Sequence, residues 1–559
     1  MSDSSAAFAA ARPRIGAFYR RKLIAFVSVI AAFLLLGWIS GSFVGFSLVQ
    51  TLVDFPGGTV WFIEHFAPSA ASLQYLNRIL PALWSTVLDS IAASMTAAVL
   101  AYICAVLGSR SVGLGGPMQF IVRAIASVFR NIPIVAWAFL LLFSFKQSEF
   151  TGYLALFLQS FGFLTRCFLE NLDEMPQGPI EALRASGASY LQVIVRGVIP
   201  LSLTQVVSWV LYMIETNIRD ATLVGMLTGT GIGFVFDLYY KSFRYDAAGL
   251  VLLCVVIVVI ACETGSNYIR RQIDAPEGRR DLKAIGVRRP NGCLRTRVAS
   301  RSDKLIAGLI AALVLVTVYT FWQMNYGNVN LGTAFVDAVD DFWTMATTPR
   351  VDGHFTFGDL VYELFVTLAL ATLTTLGGAV IALVLGLFAA SNLSNKVVSN
   401  IIKVFMSVLR AVPTILWVLV FTVAIGLGAE AAVVGMLFHS AAYLVKAYSE
   451  SFEEVDQGVL EALRATGASW WQLVARGILP EKVNEVLSWT FIRFEINFVA
   501  AVVVAGMAGS GGIGYSLFLA GNFYFDIHEI GLIVYMCMIV SIVLEVSATK
   551  LRKRFIVNR

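Results

Sequence analysis

Apolar positions in this chain follow neither a strand's alternation nor an amphipathic helix's stripe; they come in long, predominantly apolar blocks. In the first half these occupy residues 23–47, 83–108, 122–145, 150–169, 200–226 and 247–268. In the second half they occupy residues 304–323, 361–391, 401–427, 430–449, 480–507 and 529–549. About 20 apolar residues carry a helix across the hydrocarbon core, so each block predicts a membrane span. Lipid offers no partner to a free N–H or C=O, and the helix satisfies both internally. The expectation is an all-α polytopic membrane protein of about 12 spans, with both termini on one side. The first block follows Arg20, Arg21 and Lys22 and is too long for a signal-peptide core, so it is read as a retained span.

The polar stretches between the blocks repeat. Residues 181–200, EALRASGASYLQVIVRGVIP, return at 461–480 as EALRATGASWWQLVARGILP. The same 280-residue offset places Arg130, Pro133 and Trp137 on Arg410, Pro413 and Trp417, and Gln159 with Ser160 on His439 with Ser440. It also places Glu215 and Asn217 on Glu495 and Asn497. Each unit holds an even number of spans, so the halves run parallel and are related by a pseudo-twofold axis along the membrane normal. The units are residues 1–268 and 304–559, joined by a basic linker, 269–303, with a pathway expected at the seam between them.

Charge sets the orientation. The segment 270–304 carries eleven Lys or Arg against four Asp or Glu, while the loop 322–358 has Asp337, Asp340, Asp341 and Asp352 against Arg350 alone. Basic loops stay cytoplasmic. This predicts a cytoplasmic linker, cytoplasmic termini and an external 322–358 loop, and puts both copies of the repeated stretch in the cytoplasm. The net charge of +5, with 58% hydrophobic and 14% charged residues, therefore records topology and points to no nucleic acid. Six cysteines lack CxxC spacing or a His cluster, so no disulfide framework or metal site is expected. There is no GxxxxGK[ST] loop and no assignable catalytic constellation. The glycine-rich 229–233 and 509–514 read as flexible external turns.

Within the repeated stretch, residues 180–185 predict a short surface helix ended by Gly187. Glu181, Ala182, Gly187 and Pro200, and again Glu461, Ala462, Gly467 and Pro480, resemble the EAA loop of ABC importer permeases. The resemblance implies a type I importer permease-like fold with two permease units fused in one chain. It implies that Glu181, Ala182, Gly187, Glu461, Ala462 and Gly467 couple to two copies of a cytoplasmic ATP-binding subunit. That subunit would use the ATP and Mg, leaving this chain without a cofactor or an enzyme site of its own. An external substrate-binding protein and the lipid of a bacterial inner membrane complete the expected partners.

RNIP and RAVP in the third blocks, LFHSAAYLVKAYSE at 437–450 and ETNIRDAT at 215–222 resemble the phosphonate-type permeases. That implies a phosphorus oxyanion as cargo. Polar groups at membrane depth are costly unless they face a cavity or a partner. Gln159, Ser160, His439 and Ser440, with Arg130 and Arg410, are therefore the candidate pathway residues. Glu215, Asn217, Glu495 and Asn497 suit gating or helix pairing, since a carboxylate repels an anion. Val499 and Ala500 stand where the first half has Arg219 and Asp220, so the transport face need not be symmetric. Two other readings stay open: a permease for another small solute such as methionine, and a six-plus-six secondary transporter driven by an ion gradient.

Overall fold

Prolines and glycines decide where the apolar blocks bend. In this computed structural model, residues 28, 31–274, 301–504 and 506–556 are described. Most of the linker 269–303 and the N-terminal basic tract lie outside them. The first half comprises α1 (Ala31–Val44), α2 (Leu48–Phe66), α3 (Leu76–Gly108), α4 (Pro117–Asn131), α5 (Ile134–Phe145), α6 (Glu149–Glu174), α7 (Gly178–Ala185), α8 (Tyr190–Val193), α9 (Ile199–Thr228), α10 (Gly231–Lys241) and α11 (Tyr245–Asp274). The second comprises α12 (Arg301–Gln323), α13 (Leu331–Thr347), α14 (Phe357–Ala389), α15 (Lys396–Ala411), α16 (Thr414–Ile425), α17 (Ala429–Glu453), α18 (Gln457–Ala465), α19 (Trp470–Leu473), α20 (Leu479–Val504), α21 (Ile513–Leu519) and α22 (Ile527–Ile556). Among the described residues, nine helices are long and apolar enough to cross a membrane, or twelve if each of three bent pairs is one span.

The blocks 122–145 and 401–427, expected as straight spans, are each two helices meeting at an elbow. The chain turns by 91° between α4 and α5 and by 86° between α15 and α16. Pro133 and Pro413 cause the break. A proline forces its predecessor out of the helical region, and Ile132 (φ −79°, ψ 122°) and Val412 (φ −74°, ψ 125°) are extended accordingly. In the first half α6 makes room for the elbow with Gly162, where a Cβ would lie 2.5 Å from the backbone nitrogen of Arg130.

Small residues let the long helices pack closely. Ala93, Ala97, Ala101 and Ala105 of α3 are fully buried in the first half, where α3 runs along α6. In the second half a Cβ on Gly378 of α14 would sit 2.8 Å from Ser440 Oγ of α17.

The opening helices of each half cross to the other. Gly37 and Gly41 of α1 lie against Leu376 and Leu373 of α14. Phe55 of α2 stacks on Phe421 and Phe438 with ring centroids 6.0 and 6.2 Å apart, and Phe62 meets Trp417 at 6.0 Å. Reciprocally, Phe321 of α12 meets Tyr153 at 5.2 Å. Phe335 and Phe342 of α13 meet Phe145 and Trp137 at 5.0 and 5.9 Å, and Ser144 donates to Asp341 at 2.6 Å. Helices α2 and α13 fall in segments expected to be loops; sequence polarity hid them, because each carries an exposed face beside the one it buries.

Each arm then docks back on its own half. The carbonyl of Phe66, at the end of α2, lies over Gly249 of α11, and the carbonyl of Met345, near the end of α13, lies over Gly531 of α22. These two glycines are equivalent in the repeat. Gly249→Leu or Gly531→Leu is expected to lower the thermal unfolding midpoint of the purified protein, with a cost of about 1–3 kcal/mol from overpacking. Gly57→Leu in α2 is the control, since a Cβ there meets nothing within 4 Å; equal midpoints for all three would contradict the docking.

Candidate translocation seam and docking helices

The repeated stretch folds as its residue order dictates. Helix α7 ends at Ser186, and Gly187 follows with φ 81°, its N–H donating to the Arg184 carbonyl at 3.0 Å while Ala188 N–H reaches Leu183 at 3.1 Å. Helix α18 ends the same way at Gly467, φ 78°. A side chain on either glycine would meet open space, so backbone conformation alone requires glycine there. Glu181, Ala182, Glu461 and Ala462 are exposed. The opposite face is anchored: Ile180 and Leu460 are fully buried. Arg184 donates to the Ser111 carbonyl at 3.4 Å and Arg464 to the Asn392 carbonyl at 2.9 Å, each in the turn after its half's first long core helix.

Both copies then widen into a single π-helical turn, Ile194–Val198 and Val474–Ile478, before Pro200 and Pro480. A proline cannot donate to the carbonyl four residues back and crowds it. The chain accommodates this by letting Ile199 and Leu479 bond five residues back, to Ile194 and Val474.

At the seam, charges of one half close on charges of the other. Arg130 pairs with Glu495 at 2.9 Å and Glu545 at 3.0 Å, and Arg166 also reaches Glu545. In the mirrored position Arg410 pairs with Glu263 of the first half. Glu215, the counterpart of Glu495, is instead held by Arg219 at 3.0 Å. Arg130 and Arg410, expected as anion ligands, are thus both engaged by carboxylates across the seam.

Deeper in each half a hydrogen-bonded triad recurs. Asn217 donates to Ser94 at 2.9 Å and Ser160 at 2.8 Å, while Asn497 donates to Thr375 at 2.8 Å and Ser440 at 2.9 Å. Ser160, Ser440 and both asparagines are buried and tie three helices of their half together. Their neighbours differ. Gln159 donates to Asp220 at 3.3 Å and keeps a buried Oε1 without a partner; His439 keeps a buried Nδ1 without one. Arg493, 2% exposed in α20, donates through Nε to Ser440 at 3.3 Å, with its guanidinium 5.1 Å from the Tyr443 ring.

The family of binding-protein-dependent transport system inner membrane components matches residues 97–275 and again 382–555. The chain belongs to this family. It is a permease carrying two such units, and the matches begin within α3 and α14, so the crossing arms α1–α2 and α12–α13 stand outside both. The chain is 27% identical over 476 residues to the phosphate-import permease of Mycolicibacterium smegmatis, covering 84% of each chain. It is 27% identical to a phosphite transport permease of Stutzerimonas stutzeri over 44% of this chain and 89% of that one. A methionine import permease of Bacillus subtilis is 26% identical over 23% of this chain and 60% of its own. The expected fold, two fused permease units in a multi-pass inner membrane protein, is therefore the observed one.

Three features of the permease escaped the sequence reading. Glu263 and Glu545 are isolated carboxylates inside apolar blocks at equivalent places of the repeat, and that recurrence was a usable signal. Arg493 is likewise a charge inside an apolar block, 480–507, but the repeat does not mark it, because its counterpart is Met213. The glycine-rich turns, expected to be flexible, are tightly packed: Gly233 touches the Thr222 carbonyl and Gly514 that of Val502, while Ile232 and Ile513 N–H each donate to a threonine at 2.9 Å.

Glu545→Gln removes one carboxylate partner from Arg130 and from Arg166 together, leaving them Glu495 and Glu170. With side chains 25% and 34% exposed on the arginines, solvent screens part of the loss, and a destabilisation of about 1–3 kcal/mol is expected in thermal unfolding. Arg410→Glu with Glu263→Arg is expected to recover stability lost by either single change. Purely additive losses in that double-mutant cycle would refute a direct cross-half pair.

Proposed function

We propose that this permease imports a phosphorus oxyanion, such as phosphate, phosphite or a phosphonate, delivered by an external binding protein. The observation that carries this reading is the likeness to a phosphate-import permease across 84% of both chains, spanning both halves. The phosphite permease likeness agrees with it. Two copies of a cytoplasmic ATP-binding subunit dock on α7 and α18 through Glu181, Ala182, Gly187, Glu461, Ala462 and Gly467. Those subunits use ATP and Mg, and this chain contributes no catalytic residue.

Both termini and the linker 269–303 lie in the cytoplasm, as the excess of basic residues there supports. Closure of the ATPases draws the docking helices together and rocks the halves about the seam, alternating access to the pathway. Gln159, Ser160, His439 and Ser440 line that pathway. The cross-half pairs of Arg130 and Arg410 break and re-form as it opens, with Glu215, Asn217, Glu495 and Asn497 holding the helices that move. A pair that is intact in one conformation and solvated in the other biases the equilibrium by its differential energy.

Two measurements test this. Ligand screening of the cognate binding protein is expected to select a phosphorus oxyanion; selection of methionine or another amino acid would overturn the assignment. Replacing Gly187 and Gly467 together by leucine forces both docking helices out of a backbone conformation that costs a side-chain-bearing residue about 1–2 kcal/mol. ATP-dependent uptake is expected to fall at least tenfold and the ATP-binding subunit to be lost on co-purification. Unchanged uptake, or uptake that persists on an ion gradient after ATP depletion, would refute ATP coupling through these helices.

A further inference from the structure

Arg493 is a buried cation without a counter-ion among the described residues. At the seam Arg130, Arg166, Arg219 and Arg410 each have a carboxylate partner. Arg493 forms no ion pair among the described residues, and its ionisable neighbours are the phenols of Tyr443 and Tyr212 and the imidazole of His439. Its side-chain hydrogen bond goes to Ser440 through Nε, which leaves the terminal amino groups of the guanidinium for another acceptor. Taking a guanidinium out of water without an anion is among the most unfavourable arrangements available to a membrane helix. Retaining one calls for an anion that is present at some stage of the cycle.

The surroundings fit that need. His439, the residue before Ser440 in α17, has a buried Nδ1 with no partner, and it lies within electrostatic reach of Arg493, Arg219 and Arg410. Arg219 and Arg410 are engaged with Glu215 and Glu263, so their charge is already compensated. The arrangement exists once: at the equivalent positions the first half has Met213 in place of Arg493 and Gln159 in place of His439.

We propose that Arg493 and His439 form a single, asymmetric oxyanion seat on the second half of the permease. The guanidinium supplies the charge and two parallel N–H donors suited to a tetrahedral oxyanion. His439 supplies a ring nitrogen, and Ser440 holds the guanidinium in place. The seat rests on the reading of the permease as a phosphorus oxyanion importer and adds which half binds the anion.

The test uses the complete complex, with its ATP-binding subunit and binding protein, in proteoliposomes supplied with phosphate, phosphite or methylphosphonate. Arg493→Met is expected to cut uptake at least tenfold while the unfolding midpoint stays equal or rises, because an uncompensated charge has been removed. Arg493→Lys keeps the charge without the fork and is expected to retain part of the uptake with a raised KM. Wild-type uptake by Arg493→Met would overturn the seat. So would a loss of uptake in both variants accompanied by a fall of several degrees in the midpoint, which would make Arg493 a packing residue. If the unmodified complex carries none of the three anions, the functional reading itself fails and the seat fails with it, an outcome distinguished by appearing before any substitution.

Discussion

The absence of water at membrane depth organises this molecule. Every charged or polar side chain carried into the hydrocarbon needs a partner from the protein, and the surface where two halves meet can supply partners from both sides. That is why Arg130, Arg166 and Arg410 find Glu495, Glu545 and Glu263 across the seam. It is also why the two asparagine triads sit inside their own halves, where they fix helices relative to one another. The polar groups thus sort into those that hold a half rigid and those that hold the halves together.

Rigidity within a half is necessary for motion between halves to be useful. Helices α7 and α18 are pinned to their core by Ile180 and Leu460 and by the arginine bonds to the neighbouring turns. A push on α7 or α18 is therefore delivered to the helices behind it. The crossing arms impose the complementary limit, since α2 lies against α16 and α13 against α5 through aromatic ring contacts, some stacked and some edge-on or tilted. Each such pair adds about 0.5–1.5 kcal/mol beyond the area it buries. Separating the halves fully would tear this lacing.

Much of this was legible because the physics involved is local. A glycine six residues after a glutamate, with a proline thirteen further on, specified a short helix and its end, and both copies obey. What stayed illegible depends on neighbours distant in the chain. Hydropathy runs unbroken through Pro133 and Pro413, so the elbows were hidden inside what looked like single spans. Helices α2 and α13 present apolar and polar faces to different surroundings and blurred into loops. Arg493 has no counterpart in the first half, where Met213 stands, so the repeat does not mark it.

That last point bears on why two units share one chain. A permease assembled from two identical subunits must place every axial side chain twice, so its central charge is always even and any arginine there faces its own copy. Two guanidiniums about 8 Å apart would repel by about 2 kcal/mol at an effective dielectric of about 20. Covalent fusion lifts that parity rule. With Met213 opposite Arg493 and Gln159 opposite His439, the fused chain carries at these positions one cation where two identical subunits would carry two.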